Sequence, residues 1–113
     1  MRTINVPLLD KRGKRTGGLL PVQGHVAWLT LGDSKHRFFI QLDGAGDPEY
    51  LTDYASGGTV AKLKPLALEL YVGNPYSKYT PRRLAEIALG RLIDGVGAEK
   101  IIRTIGAAER IND

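Results

Sequence analysis

Residues 79–112 read YTPRRLAEIALGRLIDGVGAEKIIRTIGAAERIN, and the fold turns on how they are understood. Thr80 is a good helix cap, because its hydroxyl can accept a bond from an otherwise unpaired backbone N–H. Pro81 then falls on the first helical position, where its missing N–H is harmless. Leu84, Ala85, Ala88, Leu89 and Leu92 recur at helical spacing, with Arg82, Glu86 and Gly90 on the other side. Gly95 supplies the expected stop, since glycine takes a left-handed conformation without strain. After Gly97 a second periodic run begins: Ala98, Ile101, Ile102, Ile105 and Ala108 share one face, and Glu99, Arg103 and Arg110 the other. The pattern predicts helix, short turn, helix.

Upstream the periodicity changes from helical to alternating. Residues 2–9 alternate in part, with Pro7 marking an edge or an early end. Residues 10–18, DKRGKRTGG, read as a turn centred on Gly13 and crowded with Lys11, Arg12, Lys14 and Arg15. Residues 19–22 suggest a short strand broken by Pro21. Residues 24–31 form a better one, with Val26, Trp28 and Thr30 facing one way. A turn at residues 32–35 returns the chain into a strand over 35–42, the most plausible hairpin in the sequence. That pairing places Trp28 near Phe38 and Phe39. Residues 43–49, DGAGDPE, are an acidic loop. Short strands are expected at 50–54, 59–64 and 66–72, the last with a sequence, LALEL, that suits a helix equally. Residues 73–78 form a turn before the helices.

The sum is an α+β domain. Four to six short strands make a small, mostly antiparallel sheet, because the connections are too short for helical crossovers. Two C-terminal helices follow and pack on one face. A chain of 113 residues with 42% apolar content is one domain, with a β-rich part (1–78) and a two-helix part (79–113).

Composition narrows the chemistry. The chain has no cysteine, which excludes disulfides, cysteine metal sites and thiol nucleophiles. The first residues lack the apolar run of a secretory signal. No apolar run approaches the roughly 20 residues that span a bilayer. A cytoplasmic protein without membrane contact is therefore expected. The net charge is +4, which modestly favours an anionic partner.

No enzyme is evident. His25 and His36 fall on the expected hairpin, but no third ligand completes a zinc site. The acids Asp43, Asp47 and Glu49 do not follow the spacing of a calcium loop. His36, Asp53 and Ser56 hold the residue types of a nucleophilic triad without any spacing that fixes their geometry. No phosphate-binding loop is present. Neither cofactor nor metal is expected.

Within residues 84–105, the run IDGVGAEKIIRTI (93–105) resembles the helix-hairpin-helix motif of DNA-binding proteins that read no particular sequence. The resemblance implies that Gly95 and Gly97 are turn glycines whose backbone N–H groups meet a DNA phosphate. Val96 would be the buried pin between the helices. The physics suits this role, because a glycine turn approaches phosphate closely and the next helix offers unpaired N–H groups. Lys100 and Arg103 would add charge-assisted contacts. Asp94 and Glu99 depart from the motif, as does the bulky Ile101. With the basic turn, this gives an expected site of Lys11, Arg12, Lys14, Arg15, Gly95, Gly97, Lys100 and Arg103. The partner would be the phosphate backbone of DNA or RNA, bound largely without sequence preference. The alternative is a protein-interaction module, an inhibitor or assembly factor, homodimeric through the apolar helix faces. Tyr76 and Tyr79, flanking Lys78, are the expected residues for base stacking.

Overall fold

The computed structural model describes residues 1–71, with the side chain of residue 71 left aside, and 79–113. The turn expected at 73–78, including Tyr76 and Lys78, lies outside the described residues.

Five strands, β1 (Arg2–Leu9), β2 (Arg15–Leu31), β3 (Ser34–Leu42), β4 (Pro48–Asp53) and β5 (Thr59–Lys62), pair in sequence order, each antiparallel to the next. Among the described residues three helices follow: α1 (Lys64–Tyr71), α2 (Pro81–Val96) and α3 (Ala98–Ala107). The expected α+β architecture is present. Among the described residues, no helix is long and apolar enough to cross a membrane.

β2 is the backbone of the sheet and is longer than its sequence suggests. It runs unbroken through Pro21, where two separate segments were expected, and it begins inside the expected turn, at Arg15. Pro21 is tolerated because it lies opposite Asn5, at a position whose backbone groups point away from the partner strand. The N–H of Asn5 points outward in the same way, to Asn112. Pro7, opposite Leu19, has the same alternation, so neither proline removes a ladder bond. Both prolines instead blunt the free edges of this ribbon.

At Gly24 the strand changes partner, from β1 on one edge to β3 on the other. A Cβ there would collide with the carbonyl oxygen of Ile40, so only glycine allows the approach. Beyond this point β1 and the first half of β2 form an arm that lies over the sheet face away from the helices. Ile4 and Val22 of the arm bury Phe39 and Tyr54 beneath them. The other face carries the main core: Ala27, Leu29, Phe38, Ile40 and Leu51 of the sheet meet Leu84, Ala85, Leu89 and Ile101 of the helices.

The arm is held down by the C-terminal tail. Asn112 accepts from the N–H of Asn5 (2.9 Å) and donates from Nδ2 to the carbonyls of Asn5 and Tyr54 (2.8 Å each). The backbone N–H groups of Ile111 and Asn112 both donate to Ala55 O. Gly57, at φ 70°, presses on Asn5 and Val6 closely enough to exclude a side chain. The outer edge of β1 is thus satisfied by an asparagine amide rather than by a strand.

Two expectations about the helices need correction. Residues 66–72 were expected as a strand, but α1 covers Lys64–Tyr71. Pro65 suits a helix start, and Leu, Ala and Glu are strong helix formers. Leu66 and Leu70 turn inward at i, i+4 while Leu68, 72% exposed, points out. Gly95 does not end α2. The helix continues to Val96, and Gly97 caps it at φ 86°, donating its N–H to Ile93 O. The start of α2 is as expected, with Thr80 Oγ1 accepting from Arg83 N–H at 3.1 Å.

Candidate nucleic-acid interface

The basic turn stands at the distal end of the arm, where residues 8–17 are exposed throughout. Asp10 organises it: its Oδ1 accepts from the N–H groups of Arg12 (2.8 Å) and Lys14 (3.0 Å), and Gly13 supplies the left-handed turn residue at φ 78°. Lys11, Arg12 and Lys14 therefore project from a fixed loop with no carboxylate partner among the described residues. Arg15 differs from its neighbours. It folds back along the arm, with its guanidinium 3.4 Å from Ser56 O and 3.5 Å from Glu109 O.

The α2–α3 junction does not take the geometry that the helix-hairpin-helix resemblance implies. Gly95 is helical, so its N–H is engaged within α2. Val96 is 44% exposed rather than a buried pin. Gly97 is the residue that turns the chain. Asp94 and Glu99 are exposed on either side. Nor does this junction meet the basic tip. Arg15 reaches the chain just beyond the C-terminus of α3, whereas Gly95 and Gly97 precede its N-terminus, about 15 Å away along the helix. Lys100 lines a cavity of about 230 Å³ with Val60, Leu92, Ile101 and Ile105. Arg103 is exposed on α3.

Three residues with triad chemistry do come together, in an order that builds no nucleophile. Asp53, 2% exposed, sits in the middle. Its Oδ1 is 2.7 Å from His36 Nε2, and its Oδ2 accepts from Ser56 Oγ (2.6 Å) and Ser56 N–H (3.0 Å). A serine nucleophile needs an imidazole against its hydroxyl, with the carboxylate behind the imidazole. Here the serine hydroxyl is buried, donates to the carboxylate and accepts from Gly58 N–H. Burial raises the Asp53 carboxyl, but the bonds from His36 and Ser56 outweigh it and hold the group below its ordinary value. The knot fixes the 53–58 turn, which receives both the arm and the C-terminal tail.

His25 pairs with Ile40 and His36 with Leu29, which separates the two histidines by about 13 Å along β2. Among the described residues, no group of three or more His, Cys, Asp or Glu converges on a point. In the acidic loop, Asp43 binds Lys64 Nζ at 2.7 Å and accepts from Ala45 and Asp47 N–H. The bond from Lys64 chiefly holds its carboxyl below the ordinary value.

A second basic group joins Arg82 and Arg83, at the start of α2, to Trp28, Lys35 and Arg37 of the hairpin, a meeting the sequence does not show. Trp28 is 52% exposed, with the Arg37 guanidinium 5.9 Å from its ring centre. Arg82 of α2 donates to Trp28 O at 2.9 Å, filling the edge of β2 that β1 leaves open. Lys35 and Arg83 line the adjoining groove. Alternation places Trp28 on the sheet face opposite Leu29, but nothing local marks it as exposed, and Arg82 lies 54 residues away.

Comparison of the chain with family models, with curated proteins and with solved structures finds no match.

Proposed function

We propose that this protein binds nucleic acid through its phosphate backbone, largely without sequence preference. The observation that supports the reading best is the arm tip. Lys11, Arg12 and Lys14 sit on a projecting two-stranded ribbon, free of carboxylate partners among the described residues. The neighbouring carboxylate, Asp10, is turned inward to backbone N–H groups. Mobile cations on a firm turn suit phosphate, which demands charge more than exact placement. Arg15, Gly95 and Gly97 take no part in this interface, because they are engaged elsewhere.

The test is fluorescence anisotropy of labelled oligonucleotides over a salt series, with Lys11→Ala/Arg12→Ala/Lys14→Ala beside the wild type. Affinity should fall linearly with salt on logarithmic axes. The triple variant should lower the slope by about 2–3, from about 0.7–0.9 per lost contact. No binding of any oligonucleotide at low salt would refute the proposal.

A second reading, a protein-interaction module or homodimer, draws on one specific observation. Leu8, Leu9, Leu19 and Leu20 of the arm are each about half exposed. Such apolar surface suits a protein partner. Sedimentation equilibrium tests self-association, which Leu9→Glu and Leu19→Glu would abolish.

A further inference from the structure

We propose that Trp28, with Arg37, Arg82, Arg83 and Lys35, forms a docking site for one unpaired nucleotide, so that the protein prefers single strands to duplex. This rests on the nucleic-acid reading above, but it names a different surface and a narrower partner.

The ring is held as a platform. Trp28 faces Arg37 across the β2–β3 pair, and its carbonyl is fixed from the edge by Arg82. Arg37 is fixed in turn, because its guanidinium lies 3.9 Å from the ring centre of the buried Tyr54, which also carries Arg2 at 5.8 Å. One arginine thus stands against two aromatic rings, with neither arginine paired to a carboxylate among the described residues. The indole has the Arg37 guanidinium 5.9 Å from its centre and is 52% exposed, which leaves ring surface for a stacking partner.

Around the open edge of β2 lies a groove of about 280 Å³ between α2 and the end of the β2–β3 hairpin; Leu29 lines its helix side, and Thr30 with its partner Lys35, on the same sheet face as Trp28 by alternation, lines the other. Its charged residues are Lys35, Arg82, Arg83 and Glu86, three cations against one carboxylate. Arg82 belongs to both features. A flat ring next to an excess of cations complements a ligand that joins a flat ring to an anion. A nucleotide in a chain has that chemistry, with its base on Trp28 and its phosphate in the groove. In a duplex the base faces are already stacked on one another, so only an unpaired strand can offer one.

Trp28 is the only tryptophan in the chain, which makes its fluorescence a direct report from the site. The experiment titrates the full chain with a 12-nucleotide single strand and with the same sequence as duplex. Tryptophan emission and the anisotropy of a labelled strand are read together. The single strand should quench Trp28 at saturation and bind more tightly than duplex. Trp28→Ala should weaken single-strand binding about 5- to 150-fold, the range set by loss of one stacked base, with little effect on duplex. Trp28→Phe should restore most of that loss, and Lys35→Ala/Arg83→Ala should weaken single-strand binding while Trp28 still quenches at saturation. Single strands that bind without changing Trp28 emission, or a Trp28→Ala loss equal for both forms, would overturn this inference and leave the phosphate reading standing. Failure of every oligonucleotide to bind would overturn both.

Discussion

Replacing Asn112 by alanine should destabilise the protein by about 2–3 kcal/mol. The side chain makes three hydrogen bonds, to Asn5 N–H, Asn5 O and Tyr54 O. Each is worth about 0.5–1.5 kcal/mol net, and a buried group left unpaired costs about 1–3 kcal/mol. Asn5 is exposed, so water replaces part of what its two groups lose. The carbonyl of Tyr54, a buried residue, has less recourse, which sets the figure near the middle of the sum. The backbone bonds from residues 111 and 112 to Ala55 O survive the change, so the tail should stay docked. Urea unfolding followed by circular dichroism measures the effect. With a slope of about 1–3 kcal/mol per molar, the midpoint should fall by about 0.7–3 M. Asn112→Asp sharpens the test. It keeps an acceptor for Asn5 N–H but turns an anionic oxygen toward two carbonyls, so it should cost more than alanine. If both variants lie within about 0.5 kcal/mol of wild type, the range of ordinary surface changes, the tail does not hold the arm.

The remaining predictions concern the helix junction and the two buried polar groups. Gly95→Ala should stabilise the protein by about 0.5–1 kcal/mol, because the residue is helical with open space at its Cβ. Gly97→Ala, at φ 86° and ψ 145°, should cost about 1–3 kcal/mol; thermal melts of the pair that show the reverse order would place the helix end at Gly95 after all. Thr52 Oγ1 is buried without a hydrogen-bond partner in the protein, so Thr52→Val should be neutral or stabilising by up to about 1 kcal/mol in urea titration. Asp53 has a lowered folded-state value. Its stabilisation is complete above the ordinary carboxyl value of about 3.9 and is lost as pH falls through the lower folded value. Asp53→Asn should be less stable at pH 7, and its stability should decline less steeply than that of the wild type below about pH 4.

What the sequence disclosed was mostly local. The Thr80–Pro81 start of α2, the alternation around Trp28 and the Gly32 turn each depend on neighbours within a few residues, and each is found. The misread elements are those where two local rules agreed with the same residues. Leu66, Leu68 and Leu70 fit a strand at i, i+2, and Leu66 and Leu70 fit a helix at i, i+4; packing against the core selects the second. Two glycines separated by one residue can each end a helix, and only the backbone at Gly97 shows which does. The Asn112 clamp spans 107 positions of sequence, and no pattern of residue types announces it. The same holds for Arg82 against Trp28, which are 54 residues apart.

The Asn5–Asn112 junction also sets an order of events in time. β1 and β2 precede β3, β4 and β5 in the chain and can pair as a hairpin once both have been made. Yet the amide that closes the outer edge of β1 belongs to a residue made more than a hundred peptide bonds later. Until that residue is made the edge lacks its amide partner, and Pro7 blunts it. The arm therefore reaches its final seat after translation has passed residue 112, and a stall shortly before that point leaves a nascent chain in which the edge of β1 is still unfinished.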